Sequence, residues 1–155
     1  MAPIISTIDI DRPLRVVFDY VTDPSRFPEW QLDVVTVTVD RSGPHGVGTR
    51  FTTTRRIGRM ERTMTQEVIE VDDQRRWAAR SVVGPLSLRA MTRFEPLDDG
   101  ARTRDTLSLD FSAPGLAGLL APVIRRMAAK QAPRSCRNLK QRLESGRHPG
   151  DGGGA

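Results

Sequence analysis

Asp105 and Arg55 are the two side chains best placed for chemistry inside a fold, because each interrupts a strand-like alternation of apolar and small residues. One run is Thr103, Asp105, Leu107, Leu109 and Phe111, and the other is Phe51, Thr53, Arg55 and Ile57. A carboxylate set among such residues can serve as a general base, and a guanidinium can stabilise an enolate. A buried charge needs a partner, and here each could be the other's. The same two residues are also compatible with a purely structural ion pair, or with the wet, open end of a sheet. Beyond these two, any catalysis would have to rely on Tyr20 or ordered water. Histidine occurs only at His45, in a Gly-Pro-His-Gly loop, and at His148, in the glycine-rich end. A histidine dyad or metal cluster in the core is therefore not expected, and no cofactor is implied. Cys136 has no histidine nearby in sequence to activate it and reads as a small packing residue.

The elements that must hold these residues follow from periodicity. Ile4 to Ile10 alternates as a first strand. Asp11 stands at an N-cap position, Pro13 falls in the first helical turn, and Leu14, Val17, Phe18 and Val21 recur at helical spacing. Asp23-Pro24 then breaks that helix and starts a short second one carrying Phe27 and Trp30. Six alternating runs follow, at 33–40, 49–57, 62–71, 76–83, 86–97 and 101–111. Between them lie the 43–48 loop, Gly58-Arg59-Met60-Glu61, Asp72-Asp73-Gln74, Gly84-Pro85 and Asp98-Asp99-Gly100. Turns this short between successive strands predict an antiparallel meander.

From Leu116 to about Glu144 the period is helical again, with Leu116, Leu120, Val123, Ile124, Met127, Leu139 and Leu143 on or near one stripe. At about 1.5 Å per residue such a helix crosses a whole sheet. Pro133 lies inside it and is expected to kink or split it.

The chain has 155 residues, enough for one domain, and carries a net charge of +5. Its basic residues are arginine at all but Lys130 and Lys140, spread over every element without interleaved aromatics. That distribution argues against a nucleic-acid partner. A single cysteine rules out an internal disulfide and suits a reducing, cytoplasmic setting. No basic, apolar leader opens the chain, and the apolar stretch 114–124 is too short to span a bilayer. Stable membrane insertion is therefore not expected, while a homodimer is left open. Residues 1–144 read as one domain, and 145–155 as a disordered, glycine-rich tail.

The order strand, two helices, six strands and long helix resembles the START-like superfamily, also called SRPBCC or helix-grip proteins. Within it the chain is similar to the bacterial polyketide cyclase/dehydrase and lipid-transport-like group. The resemblance is carried by Asp23-Pro24 with Pro28 and Trp30, by Gly46-Val-Gly48-Thr-Arg-Phe51, by Arg75-Arg76-Trp77 and by Asn138-Leu-Lys-Gln-Arg-Leu143-Glu144. It implies an α+β fold, in which a curved seven-stranded antiparallel sheet wraps the long C-terminal helix, with two short helices between strands one and two. It also implies a mostly apolar cavity between sheet and helix. The superfamily has no universal catalytic set, and a Rieske-type oxygenase subunit is excluded because its paired histidines are missing.

Strand parity and this resemblance together give a candidate ligand-binding surface. From the short second helix it takes Trp30, and from the sheet Phe51, Thr53, Arg55, Trp77, Ala79 and Ser81, then Leu88, Ala90, Thr92, Asp105 and Leu107. From the helix it takes Met127, Gln131 and Ser135. Small residues at mid-strand mean either close helix–sheet contact or a space left for a ligand, and the resemblance favours the space. Trp30 and Trp77 also fit a plain core, Met64 and Met91 are gap fillers, and Gln131 and Ser135 also fit a turn opened to water by Pro133. For 62–71 the parity cannot be read. The expected function is binding of a small hydrophobic molecule (a lipid, isoprenoid or polyketide-like aromatic) as carrier or sensor. The alternative is a cyclase or dehydratase acting on a bound poly-keto chain.

Overall fold

The computed structural model describes residues 3–40, 46–84, 86–112, 115, 119 and 121–145. Seven strands form one antiparallel sheet: β1 (Ile4–Ile10), β2 (Val34–Val39), β3 (Arg50–Ile57), β4 (Met60–Asp72), β5 (Arg76–Ser81), β6 (Ser87–Leu97) and β7 (Arg102–Ser112). Their order in space is β1-β7-β6-β5-β4-β3-β2, so β2 to β7 run as a meander and β1 closes onto β7. This is the helix-grip arrangement expected from the sequence. The tight β3–β4 connection is two residues long and has φ +63° at Gly58, a conformation glycine adopts without strain. Residues 41–45, 85, 116 and 120, both histidines and the tail from 146 lie outside the described residues.

Two bulges, between Val34 and Thr36 and between Val68 and Glu70, interrupt the ladders. A bulge bends its strand and shifts side-chain parity by one. On β4, Met64, Gln66 and Val68 share the inner face, whereas beyond the bulge it is Val71 that pairs with inward Trp77. A single alternation therefore cannot describe 62–71, which is why its parity is illegible in sequence.

Helix α1 (Leu14–Val21) buries Val17, Phe18, Tyr20 and Val21. Its cap differs from expectation, because Pro13 occupies the N-cap position in extended conformation and no side chain caps the helix. Asp11 lies outside the helix, and its backbone N–H donates to Glu144 Oε1 at 2.9 Å. The Asp-Pro break works as expected, since Asp23 accepts the Ser25 N–H at 3.0 Å and a 3₁₀ turn over Pro24–Arg26 leads into α2 (Phe27–Trp30). That redirection inserts Phe27 between aromatic rings of three elements, with centroids 6.0 Å from Trp30, 5.5 Å from Phe51 and 6.1 Å from Trp77. All three contacts are edge-on, the favoured geometry for rings at this separation.

Helix α3 (Ala121–Ser145) is continuous through Pro133, so the proline does not split it. Its C-terminal half is clamped. Leu139 and Leu143 are fully buried, Asn138 Nδ2 donates to the carbonyls of Trp30 (3.1 Å) and Glu29 (3.4 Å), and Lys140 Nζ donates to the carbonyl of Asp9 at 2.6 Å. The N-terminal half buries only the small Ala121 and Ala132, and Val123, expected on the inner stripe, is 57% exposed. The backbone of α3 runs close to β1 and α2, touches β7 briefly and stands off from β3 to β6. Among the described residues no helix is long and apolar enough to cross a membrane.

The clamp makes a direct prediction. Leu139→Ala should destabilise the domain by about 2–5 kcal/mol in urea unfolding, the range for a buried leucine left as a cavity. The exposed Gln141→Ala, one turn-face away, should stay within about 0.5 kcal/mol of wild type. Equal effects would mean that α3 is not held through its buried leucines.

Candidate functional site

Where α3 stands off from the sheet there is a cavity of about 190 Å³. That exceeds the roughly 150 Å³ cavity that accepts benzene and lies below the ~300 Å³ typical of pockets for drug-sized molecules. Its floor is the Phe27, Trp30, Phe51 and Trp77 cluster, and one wall is Leu88, Ala90, Thr92, Leu107, Leu109 and Phe111 from β6 and β7. The opposite wall is two rows of α3 four residues apart, Ile124, Ala128 and Ala132 beside Met127, Gln131 and Ser135. Leu107, Leu109, Phe111, Ile124 and Met127 face this space yet are only half-buried, as expected of apolar residues that border a void. Exposed Arg56 and Gly58 also line it, so the cavity opens by the β3–β4 turn.

The polar groups are few. Arg55 reaches the wall from β3, donating from Nη1 to Asp33 Oδ2 at 3.0 Å and from Nη2 to Gln31 Oε1 at 2.9 Å. Its Nε is buried without a hydrogen-bond partner. Gln66 and Thr92 are buried and face the cavity, and Ser135 Oγ accepts the Leu32 N–H at 3.2 Å. Ser135 thus ties α3 to the α2–β2 link as well as forming part of the wall.

Of the expected site residues, Trp30, Phe51, Arg55, Trp77, Leu88 and Ala90 line the cavity, as do Thr92, Leu107, Met127, Gln131 and Ser135. Four do not. Ala79 is fully buried between Val68 and Ala90, and Thr53 is fully buried in β3 with its hydroxyl unpartnered. Ser81 closes the β5–β6 link, its hydroxyl donating to the Leu86 carbonyl at 3.2 Å and accepting the Leu88 N–H at 2.9 Å. Asp105, the fourth, requires a larger correction.

Asp105 and Arg55 are not partners. Arg55 is bound by Asp33 and Gln31, while Asp105 sits in β7 between Ile8 of β1 and Phe94 of β6, away from the cavity. Parity placed Asp105 correctly on the inner face, but the close approach of α3 to β1 covers it at that point. Its Oδ1 has no hydrogen-bond partner, and burial pushes its carboxyl up to about 7. The nearby Cys136 thiol is pushed up to about 11, by burial first and the Asp105 charge second, so it is an inert packing residue. Tyr20 is buried away from the cavity, and its hydroxyl donates to Glu29 at 3.3 Å. Burial, then the Glu29 charge, pushes it up to about 12.

Sequence reasoning missed Phe27, Gln31, Asp33, Met64, Gln66, Ile124, Ala128 and Ala132 as lining residues. Met64 and Gln66 were hidden by the β4 bulge. Gln31 and Asp33 belong to a link with no periodicity. Ala128 and Ala132 could have been found, since they repeat at four residues from Ile124.

A family model described as polyketide cyclase / dehydrase and lipid transport matches residues 1–144. No curated protein sequence matches the chain significantly. Among solved structures, the chain is similar to a protein from Thermus thermophilus at 19% identity and TM-score 0.75, covering 92% of this chain and 97% of that one. It is also similar to a START superfamily protein from Mycobacterium smegmatis at 14% identity and TM-score 0.76, covering 94% and 99%. A third, the Zhui aromatase/cyclase from a Streptomyces species, has 16% identity and TM-score 0.69 over 94% and 98%. At these identities the structural likeness establishes the fold alone.

The isolated carboxyl predicts an unusual pH dependence. A folded-state value near 7 against an ordinary 3.8 means that the folded chain holds the proton more tightly than the unfolded one. Stability from this group is therefore greatest at low pH, falls as pH rises from about 4 to 7, and is level above that. Between pH 5 and pH 8 the wild type should lose roughly 2–3 kcal/mol relative to Asp105→Asn in urea titrations. A pH-independent difference between the two proteins would remove Asp105 as the titrating group.

Proposed function

We propose, from the premise that this chain belongs to the polyketide cyclase / dehydrase and lipid transport family, that it binds a small, largely apolar molecule between the sheet and α3, as carrier or sensor. The observation that carries this reading is the cavity of about 190 Å³, apolar over most of its wall and floored by four aromatic rings. Burial of apolar ligand surface there contributes about 25 cal/mol per Å² before the cost of association. A few polar groups then fix orientation. Arg55, held by Asp33 and Gln31, favours a ligand with an acceptor oxygen at the open end. A ring system of one or two rings, or a short branched chain, matches the volume.

One observation favours a second reading, cyclisation or dehydration of a bound poly-keto chain. The Arg55 Nε–H is a buried donor with no partner, at a wall where an enolate oxygen could accept it. The carboxylate for such a reaction would be Asp33, since Asp105 does not face the cavity. Asp33 is already engaged in its ion pair with Arg55, and binding needs no catalytic base, which makes the binding reading the simpler one.

Solvent extraction and native mass spectrometry of the purified protein should reveal one apolar small molecule per chain. In titrations with 2-naphthol as a probe, Ala90→Phe should weaken binding at least about tenfold by filling the space, while the domain stays folded with a loss of no more than the ~1–3 kcal/mol usual for added core volume. Naphthol binding that ignores Ala90→Phe would place the site elsewhere. For the second reading, Arg55→Gln should abolish turnover of a poly-keto substrate while naphthol still binds.

A further inference from the structure

We propose that the end of the molecule at which the cavity opens docks, peripherally and reversibly, on the surface of a bilayer containing anionic lipid. The strand register brings several separate segments to that end. They are the β3–β4 turn, the β5–β6 link, the last residues of β7, the first of β1 and the N-terminus of α3. On them stand exposed apolar side chains: Met60 (52%), Val83 (68%), Leu119 (75%) and Val123 (57%). Each neighbours a cavity-lining residue, Met60 beside Ile57 and Gly58, Val83 near Leu86, and Leu119 and Val123 before Ile124. Single exposed apolar residues need no explanation, but a set gathered around the mouth of an apolar cavity marks an interaction surface.

Charge selects the occupant. Arg59, Arg62, Arg126 and Lys130 flank these residues and have no ion pair among the described residues, while Arg56 is paired with Glu61 at 3.4 Å. Between Asp110 and Glu144 the chain contains no acidic residue at all. On α3, Val123, Arg126 and Lys130 are all exposed and spaced three and four apart, so one stripe carries apolar and cationic groups together. The opposite end carries acids too, but Asp73, Asp98 and Glu144 are paired there with Arg15, Arg102 and Lys140. The mouth therefore differs in joining cations that have no ion pair among the described residues to exposed apolar side chains, while charges at the far end are largely balanced. An anionic bilayer surface attracts the mouth more strongly than the far end. It also accepts apolar side chains below its headgroups, which an acidic protein surface does less well.

Co-sedimentation with phosphatidylcholine vesicles, with and without phosphatidylglycerol, tests this on the wild-type chain. Binding is expected only with phosphatidylglycerol and should fall with salt. Arg59→Gln with Arg126→Gln should weaken it roughly 30-fold, each cation near such a surface being worth about fivefold. Met60→Ser with Val123→Ser should also release the protein, and Val47→Ser, at the far end, should not. All these side chains are exposed, so circular dichroism and melting should be unchanged. Absence of binding to phosphatidylglycerol vesicles overturns the proposal, and so does binding that survives both double variants, which would mean non-specific attraction by net charge. Vesicle binding needs no ligand, so an empty or unused cavity does not change its outcome, and failure to dock leaves naphthol binding untouched.

Discussion

The structure depends on how α3 is clamped at its C-terminal end. Asn138 donates to α2, Lys140 to the β1 carbonyl of Asp9, Glu144 accepts from Asp11, and Leu139 and Leu143 are sealed beneath them. These contacts fix the angle at which the helix leaves β1. Because that angle carries the N-terminal half away from β3 to β6, a space remains that neither alanines nor half-buried leucines fill. Protein interiors close such spaces unless the backbone prevents it. Here the clamp, the two bulges and the Phe27 wedge prevent it together.

The same constraint sorts the polar residues. Close to the clamp, β7 is covered by the helix, and Asp105 becomes an isolated carboxyl with a raised affinity for its proton. Farther along, the helix has lifted, and Arg55 can reach the wall while keeping Asp33 and Gln31 as partners. Two inward polar residues on strands of similar pattern thus have different environments, one dry and alone, the other paired and beside the opening. Distance from the clamp, which no strand alternation encodes, makes the difference.

Much of the architecture was legible in the chain. Each of the seven strands falls within a few residues of its alternating run, and Asp23-Pro24 marks the break that delivers Phe27 to the core. Inner faces of β3, β6 and β7 follow from parity. Legibility ended where one residue changes phase, as at the β4 bulge that hid Met64 and Gln66, and where position depends on a tertiary angle, as for Asp105 and Val123. The cap of α1 is illegible for a similar reason, because the helix begins only at Leu14 with Pro13 at its N-cap, which leaves Asp11 two residues upstream, where its backbone N–H donates to Glu144 from the far end of the sequence.

If the cavity binds its ligand as proposed, it also ties the lifetime of the chain to the supply of that ligand. A molecule that binds only the folded state adds about 2.7 kcal/mol of stability at a hundredfold excess over its dissociation constant, a large fraction of the margin of a domain this size. A folded chain without an occupant opens more often, and proteases act on the opened form. The amount of this protein in a cell would then rise and fall with the occupant's concentration, and the void beneath α3 would set abundance as well as specificity.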